Sequence, residues 1–387
     1  MAKNIVICAD GTGNKFCDTN TNVLRLYSVL DLTNPARQIA YYHGGLGTMG
    51  AAGALSQWSK RWTRVKGLAF GYGLTHDIGD CYAFLMDTFE PDDRLFLFGF
   101  SRGAYTVRAL SGLLHMFGLI RPKDYNQIGY ATEMLKSEQD AASFQVAAEF
   151  KATLSRECKP YFVGVWDTVS SVGWAWDPLH VPYTAKDPDM RIGRHAVSID
   201  ERRCFFRQNL WSGPLPGQDI KQVWFAGVHS DIGGGYAEAE SGLAKISLEW
   251  MLCEACAAGL MLDRAKAGLV LGYTGGNYAA PDAAAKMHNS LNDAWLLLEP
   301  LPHRYVDMTR HPPETRIRFP LGSRRRIPTN PVVHDSVNQR IALGTGYNPP
   351  NLPATRGTEP WVRWNQGSCM ANPQTIRIGD TEQTPLY

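Results

Sequence analysis

Two block lengths alternate along the first two thirds of the chain. Short apolar runs of six or seven residues recur: NIVICA (4–9), QIAYYH (38–43), RLFLFGF (94–100), YFVGVW (161–166) and QVWFAGV (222–228). Each stops at glycine or a polar turn residue, the pattern of a buried strand that ends abruptly. Between them lie longer stretches with apolar residues at helical spacing. These are DIGDCYAFLMDTF (77–89), GAYTVRALSGLLHMFG (103–118), which Gly118 stops, and residues 141–154. Strands apolar on both faces and separated by helices predict an α/β fold, with a mostly parallel central sheet and helices on both sides.

Two stretches break the alternation. Residues 48–74 mix glycines, two tryptophans and basic side chains, and residues 171–217 include GWAWDPLHVPY and DERRCFFRQNLW. We read both as insertions over the carboxyl-end edge of the sheet. Residues 296–387 are proline- and arginine-rich, and we expect an irregular C-terminal wrap around a core of residues 1–295. The whole chain, 1–387, is read as one domain with no internal repeat. Its triplet Arg324, Arg325 and Arg326 is expected to be solvated surface, with contact to an anionic group as the alternative.

Composition narrows the function classes. A formal net charge of +2 provides no broad positive field, so we expect no nucleic-acid partner. No apolar run approaches the roughly 18 to 20 residues of a membrane span. The opening MAKNIVICAD has no apolar stretch of signal-peptide length behind its lysine, so a soluble chain, cytoplasmic as synthesised, is expected. The eight cysteines are scattered, and we expect thiols rather than disulfides. Cys253 and Cys256 form a CxxC pair inside an apolar run. Without a second pair it reads as core helix packing, and no metal or cofactor is expected.

In parallel sheets, ligands bind beyond the carboxyl ends of the strands. Those ends carry Asp10, Gly44, Ser101, Asp167 and His229. Residues 99–103, Gly-Phe-Ser-Arg-Gly, fit the G-x-S-x-G nucleophile elbow of α/β-hydrolases, with an apolar strand before and a helical stretch after. The elbow predicts Ser101 as nucleophile. A serine hydroxyl needs a base, and in this fold type an acid and then a histidine follow it in chain order. His229 sits after QVWFAGV and is the expected base. His115, His180, His195, His288, His303, His311 and His334 fall in helix, insertion, loop or tail sequence. Asp167 closes YFVGVW and is the expected acid. Asp231, only two residues from His229, is read instead as bonding backbone amides in a glycine turn. One oxyanion donor is expected from the backbone N–H of Arg102. The second comes from residues 10–14 or 44–48; we prefer the first loop, with Gly11 or Thr12 donating and Asp10 holding the loop.

With these residues in hand, ordered blocks stand out: ADGTGN (9–14), YYHGGLGT (41–48), LFLFGFSRGAYTVRAL (95–110), VGVWDTVSSVG (163–173), HAVSIDERR (195–203) and WFAGVHSDIGGGY (224–236). Together they resemble the phospholipase-effector family of α/β-hydrolases best known from type VI secretion toxins, with weaker likeness at HDSVNQR (334–340). The resemblance implies a Ser-Asp-His hydrolase whose motif residues fall on Ser101, Asp167 and His229. It also implies an ester substrate, with phospholipids the known class for some members. We therefore expect a carboxylic-ester hydrolase of phospholipase A type, in peripheral contact with a membrane surface. If the chain is an exported effector, an immunity or delivery protein is expected too. A small-molecule esterase or acyltransferase with the same triad, and a non-catalytic binding module on the same fold, are the alternatives.

Overall fold

Eight strands form one sheet in which every pairing is parallel. They are β1 (Asn4–Ala9), β2 (Gln38–His43), β3 (Arg94–Phe100), β4 (Pro160–Trp166), β5 (Ile192–Ser198), β6 (Asp219–Phe225), β7 (Val332–His334) and β8 (Gly357–Glu359). Their spatial order is β8-β7-β6-β5-β4-β3-β1-β2. The computed structural model describes residues 2–11, 19–45, 72–136, 141–169, 173–174, 177–178, 181–296, 299–300, 303–307, 314–344 and 346–366. Most of the expected insertion at 48–74 therefore lies outside the described residues.

The two-residue period of a strand sorts its side chains to opposite faces. Ile5, Ile7 and Ala9 of β1, Leu95 and Leu97 of β3, and Val163 and Val165 of β4 join one core. The helices over that face are α1 (Tyr72–Thr88), α2 (Arg102–Phe117), α3 (Ile128–Lys136) and α4 (Ala141–Leu154). Val6 and Cys8, Phe96, Phe98 and Phe100, and Phe162 and Trp166 face the other way, into a second core with helix α5 (Gly242–Ala257). This is an α/β-hydrolase-like architecture, with a parallel sheet covered by helices on both faces.

Several boundaries differ from the sequence pattern. The last predicted strand, 222–228, is shifted: β6 ends at Phe225. Gly227 turns the chain with φ +124°, and its N–H is taken by Asp200 at 2.8 Å. Residues 192–198, inside the stretch read as an insertion, form the central strand β5, whose seven residues are all buried. Arg194 and His195 disguised it. Arg194 is buried because Asp219 and Glu254 pair with it at 2.6 and 2.5 Å. His195 accepts the Thr168 N–H at 3.2 Å. The expected C-terminal wrap likewise supplies β7 and β8 to the sheet. Ile327, Val333 and Val337 close a third apolar cluster with Val197 and Trp224. The thiol expectation also needs correcting. Cys8, Cys81, Cys158 and Cys204 are buried free thiols, but Cys253 is disulfide-bonded. Among the described residues no helix is long and apolar enough to cross a membrane.

Candidate active site

Ser101 follows β3 and stands at the head of α2 with φ +60° and ψ −119°. Non-glycine residues seldom adopt such a conformation, so the surrounding structure must enforce it. The glycine two positions on explains how. A methyl group on Gly103 would lie 2.1 Å from the Ala9 carbonyl oxygen at the end of β1. Only glycine lets α2 start this close to β1, and that close start forces the sharp turn at Ser101. Gly99 is confined in the same way by the Gly103 carbonyl, 2.5 Å from where its Cβ would be. The Arg102 backbone opens the helix beside the serine, where amide dipoles favour developing negative charge.

Asp167 follows β4 with φ +40°, and its side chain is wholly buried. His229 opens the five-residue helix His229–Gly233, four residues beyond the end of β6, and is buried too. Nδ1 of the imidazole lies 2.5 Å from Asp167 Oδ2. The ring is flanked by Phe100 and Phe206, with centroids at 4.6 and 4.8 Å. Its Nε2 is buried with no hydrogen-bond partner among the described residues. Ser101 adjoins Phe100, but no hydrogen bond joins its hydroxyl to Nε2. Catalytic hydrogen bonds are often long without substrate and tighten in the reacting complex. The glycines after His229 permit the approach. A Cβ on Gly233 would fall 1.9 Å from the Phe100 ring, so this short helix rests directly on the elbow strand.

Charge compensation of Asp167 comes from Arg325, the alternative reading of its triplet. Arg325 Nη1 donates to Asp167 Oδ1 at 2.5 Å, and Nη2 donates to Oδ2 at 3.0 Å. The Ser198 N–H adds a bond to Oδ1 at 2.9 Å. Burial opposes ionisation of Asp167, but the Arg325 guanidinium and the His229 hydrogen bond outweigh it, holding the carboxyl well below its usual range. Burial lowers the His229 imidazole despite Asp167, so the ring is neutral and able to accept a proton at neutral pH. Arg325 lies in the triplet expected to be solvated. Its neighbours Arg324 and Arg326 are exposed, while Arg325 is buried. Its signal was the proximity of Ile327, which is buried on the same extended segment.

Glu201 also escaped the sequence reading. It is buried, accepts the His229 backbone N–H at 3.1 Å and pairs with Arg203 at 2.9 Å. Burial would raise it, but Arg203 and Arg325 pull it down to about 2. Arg203 in turn lies 3.6 Å over the Phe206 ring. Asp231 accepts the backbone N–H groups of Val228 and His288, both at 3.1 Å, and pairs with the His288 ring at 2.6 Å. It thus bonds backbone amides as expected and serves a different histidine. His115 pairs with Asp189 on the far part of α2, at 2.7 Å.

Asp10, expected to hold the oxyanion loop, directly follows β1. Its carboxylate accepts the Gly11 N–H at 2.7 Å, the Tyr42 hydroxyl at 2.9 Å and the Thr21 hydroxyl. The Gly11 amide is therefore directed at Asp10 in this state. Thr12 lies outside the described residues. Gly45 of the competing loop packs on this one, its Cβ position 2.8 Å from the Asp10 carbonyl oxygen.

Among the described residues one group has metal-ligand spacing: His43, His76 and Asp77 bring candidate donor atoms within 4.8 Å of one another. His43 Nδ1 accepts the Gly45 N–H at 3.2 Å, and its Nε2 lies 3.2 Å from Asp80.

Residues 3–254 match the model of the type VI secretion system (T6SS) phospholipase effector Tle1-like catalytic domain. An uncharacterized protein of Saccharomyces cerevisiae is 37% identical over 229 residues, covering 55% of this chain and 33% of that protein. The chain thus spans about a third of the length of that relative. A crystal structure of an uncharacterized protein from Pseudomonas aeruginosa superposes with a TM-score of 0.39 at 19% identity, covering 67% of this chain and 46% of the other.

Proposed function

The chain belongs to the Tle1-like phospholipase effector catalytic domain family, and from that premise we propose that it is a serine hydrolase in which Ser101, His229 and Asp167 cleave carboxylic esters, with acyl esters of glycerophospholipids as substrate. The observation that carries this reading is the buried Asp167–His229 pair at 2.5 Å, whose ring packs 4.6 Å from Phe100, the residue before the strained serine.

Ser101 Oγ attacks the acyl carbonyl carbon while His229 Nε2 takes its proton. Asp167 holds the ring in the tautomer with hydrogen on Nδ1 and stabilises the imidazolium that forms. The Arg102 N–H, with the Gly11 amide once Asp10 releases it, donates to the negatively charged tetrahedral oxygen. Collapse expels the lysolipid alkoxide, which takes the proton from His229. Water then attacks the acyl-enzyme by the same route and releases the fatty acid. Phe100 and Phe206 keep the imidazole in apolar surroundings, where neutral His229 is favoured. An effector of this family also implies a delivery or immunity partner.

Fluorophosphonate labelling of wild type and of Ser101→Ala, followed by mass spectrometry of products from mixed phospholipid vesicles and soluble short-chain esters, tests the proposal. Labelling lost only in the variant, with fatty acid released from the vesicles, is the expected result. A folded wild type that is neither labelled nor active overturns the mechanism. Turnover of soluble esters alone overturns the lipid substrate and favours the small-ester reading.

A further inference from the structure

We propose that Arg325 is a positioning residue for ester hydrolysis: it holds the Asp167 carboxylate charged and oriented beneath His229. It does so from 158 positions further along the chain, beyond the segment matched by the family's catalytic-domain model. The proposal rests on the triad reading above and extends it to a part of the chain that the family motifs do not reach.

Stereochemistry comes first. A carboxylate has about four acceptor directions. At Asp167, Arg325 Nη1 and the Ser198 N–H occupy Oδ1, and Arg325 Nη2 and His229 Nδ1 occupy Oδ2. All four are filled, so the carboxylate cannot rotate without breaking a charge-assisted bond. The guanidinium is itself fixed. Nη1 also donates to the Ser198 carbonyl at 3.2 Å, and Nη2 to the Phe206 carbonyl at 2.5 Å. The Phe206 ring flanks His229, so Arg325 ties the acid and one wall of the imidazole pocket to a single planar group.

Charge balance is the second argument. The charged groups facing Asp167 and His229 are Arg325, Glu201 and Arg203. His195, on β5, is held neutral by burial, aided by Arg108, with its pKa down to about 3. Glu201 and Arg203 pair with each other. Among the described residues that leaves Asp167 and Arg325 as the remaining opposite charges, both side chains nearly or wholly buried. With neutral His229 these described groups sum to zero, and an added proton there is an uncompensated buried cation. Without Arg325 the site carries a net negative charge. A proton then settles on His229 or on Asp167, and either one removes the base or its orienting charge until a higher pH.

The test uses the full chain with Arg325→Met and Arg325→Lys. It measures kcat/KM against pH on a soluble short-chain ester, with fluorophosphonate labelling and thermal melting alongside. For Arg325→Met, the acidic limb should move up by about one pH unit or more, with turnover near pH 6 lower by about tenfold and recovering toward alkaline pH. For Arg325→Lys, the charge remains but the fork is lost. Its acidic limb should stay near that of wild type, while kcat falls at every pH with little change in KM. If the methionine variant does not fold, the lysine variant decides. Wild-type kcat in Arg325→Lys, or a wild-type acidic limb in folded Arg325→Met, overturns the proposal while Ser101-dependent turnover keeps the triad reading intact. Turnover that does not depend on Ser101 overturns both.

Discussion

The elbow at residues 99–103 and the acid–base pair beside it are built by different means. The elbow is local: five consecutive residues, a strained φ at Ser101, and glycines whose missing side chains let backbone meet backbone. The pair is assembled from afar. Asp167, Ser198, His229 and Arg325 come from four separate segments, joined by charge and hydrogen bonds rather than by backbone shape. The proposed nucleophile is positioned by the space around it and the proposed acid by its charge balance. The two halves should therefore fail differently, one through steric strain that ignores pH, the other through protonation.

The largest effect belongs to the pair. Asp167→Asn keeps the shape but removes the charge that fixes the His229 tautomer, for which a loss in kcat of about 10⁴ is expected. It also leaves Arg325 as a buried unpaired cation, which costs about 3–5 kcal/mol of stability. Adding Arg325→Met should restore much of that stability and none of the activity. Urea denaturation and ester turnover of the two single variants and the double variant check this. A double variant no more stable than Asp167→Asn would show that the buried cation is not what destabilises the protein.

On the elbow side, Gly103→Ala puts a methyl group 2.1 Å from the Ala9 carbonyl oxygen, and backbone on both sides has little room to yield. We expect a loss of about 3 kcal/mol or more, the same at pH 8 as at pH 5. Gly233→Ala meets the Phe100 ring, a side chain that can shift, and should cost less, about 1–3 kcal/mol. The comparison breaks if Gly103→Ala melts within error of wild type, or if its destabilisation depends on pH.

Wild-type stability should itself depend on pH because of buried histidines. His229 is lowered by burial, and His195 and His334 are lowered to about 3, burial leading in each, with Arg108 and then Arg363 assisting. A ring held neutral in the folded state binds protons better when unfolded. Its contribution is complete above the unfolded value of about 6.5 and is lost as pH falls from there toward the folded value. Each such histidine adds a slope of about 1.4 kcal/mol per pH unit. Asp167 is depressed, so its contribution holds above about 4 and fades only below that. Thermal melts from pH 8 to pH 4 should be level at first and then fall increasingly below about 6.5. A curve flat down to pH 4 would contradict the neutral assignment on which His229 depends as a base.

What could be read beforehand follows the same division. Strands β1, β2 and β3 and helix 141–154 have the limits that the sequence pattern predicted, and in β1 and β3 burial on both faces writes itself into local composition. The elbow was legible for the same reason, as a strand, a glycine-bounded serine and a helix in succession. Strand β5 was not, because Arg194 and His195 occupy buried positions whose partners, Glu254 and Thr168, lie elsewhere in the chain. Glu201 was illegible for the same reason, and for Arg325 the anionic contact stood only as the alternative. A buried charge looks like a surface charge until its counter-ion is known.

The arginine triplet gives the smallest and cleanest prediction, because it places this distinction within three consecutive residues. Arg325 is buried on the acid, whereas Arg324 lies 3.8 Å from Asp200 with its side chain 39% exposed, and Arg326 is exposed. Exposed pairs contribute about 0–1 kcal/mol and isolated surface charges less than about 0.5. Arg326→Ala should leave melting temperature, kcat and the acidic limb unchanged. Arg324→Ala should lower stability only slightly, with an effect that disappears in high salt as screening replaces the lost pair. If either change moved the acidic limb as far as Arg325→Met, the net positive charge of the segment would be what matters. If only the middle arginine does so, the orientation of one buried guanidinium is what the site requires, and three identical letters in the sequence carry three different physical roles.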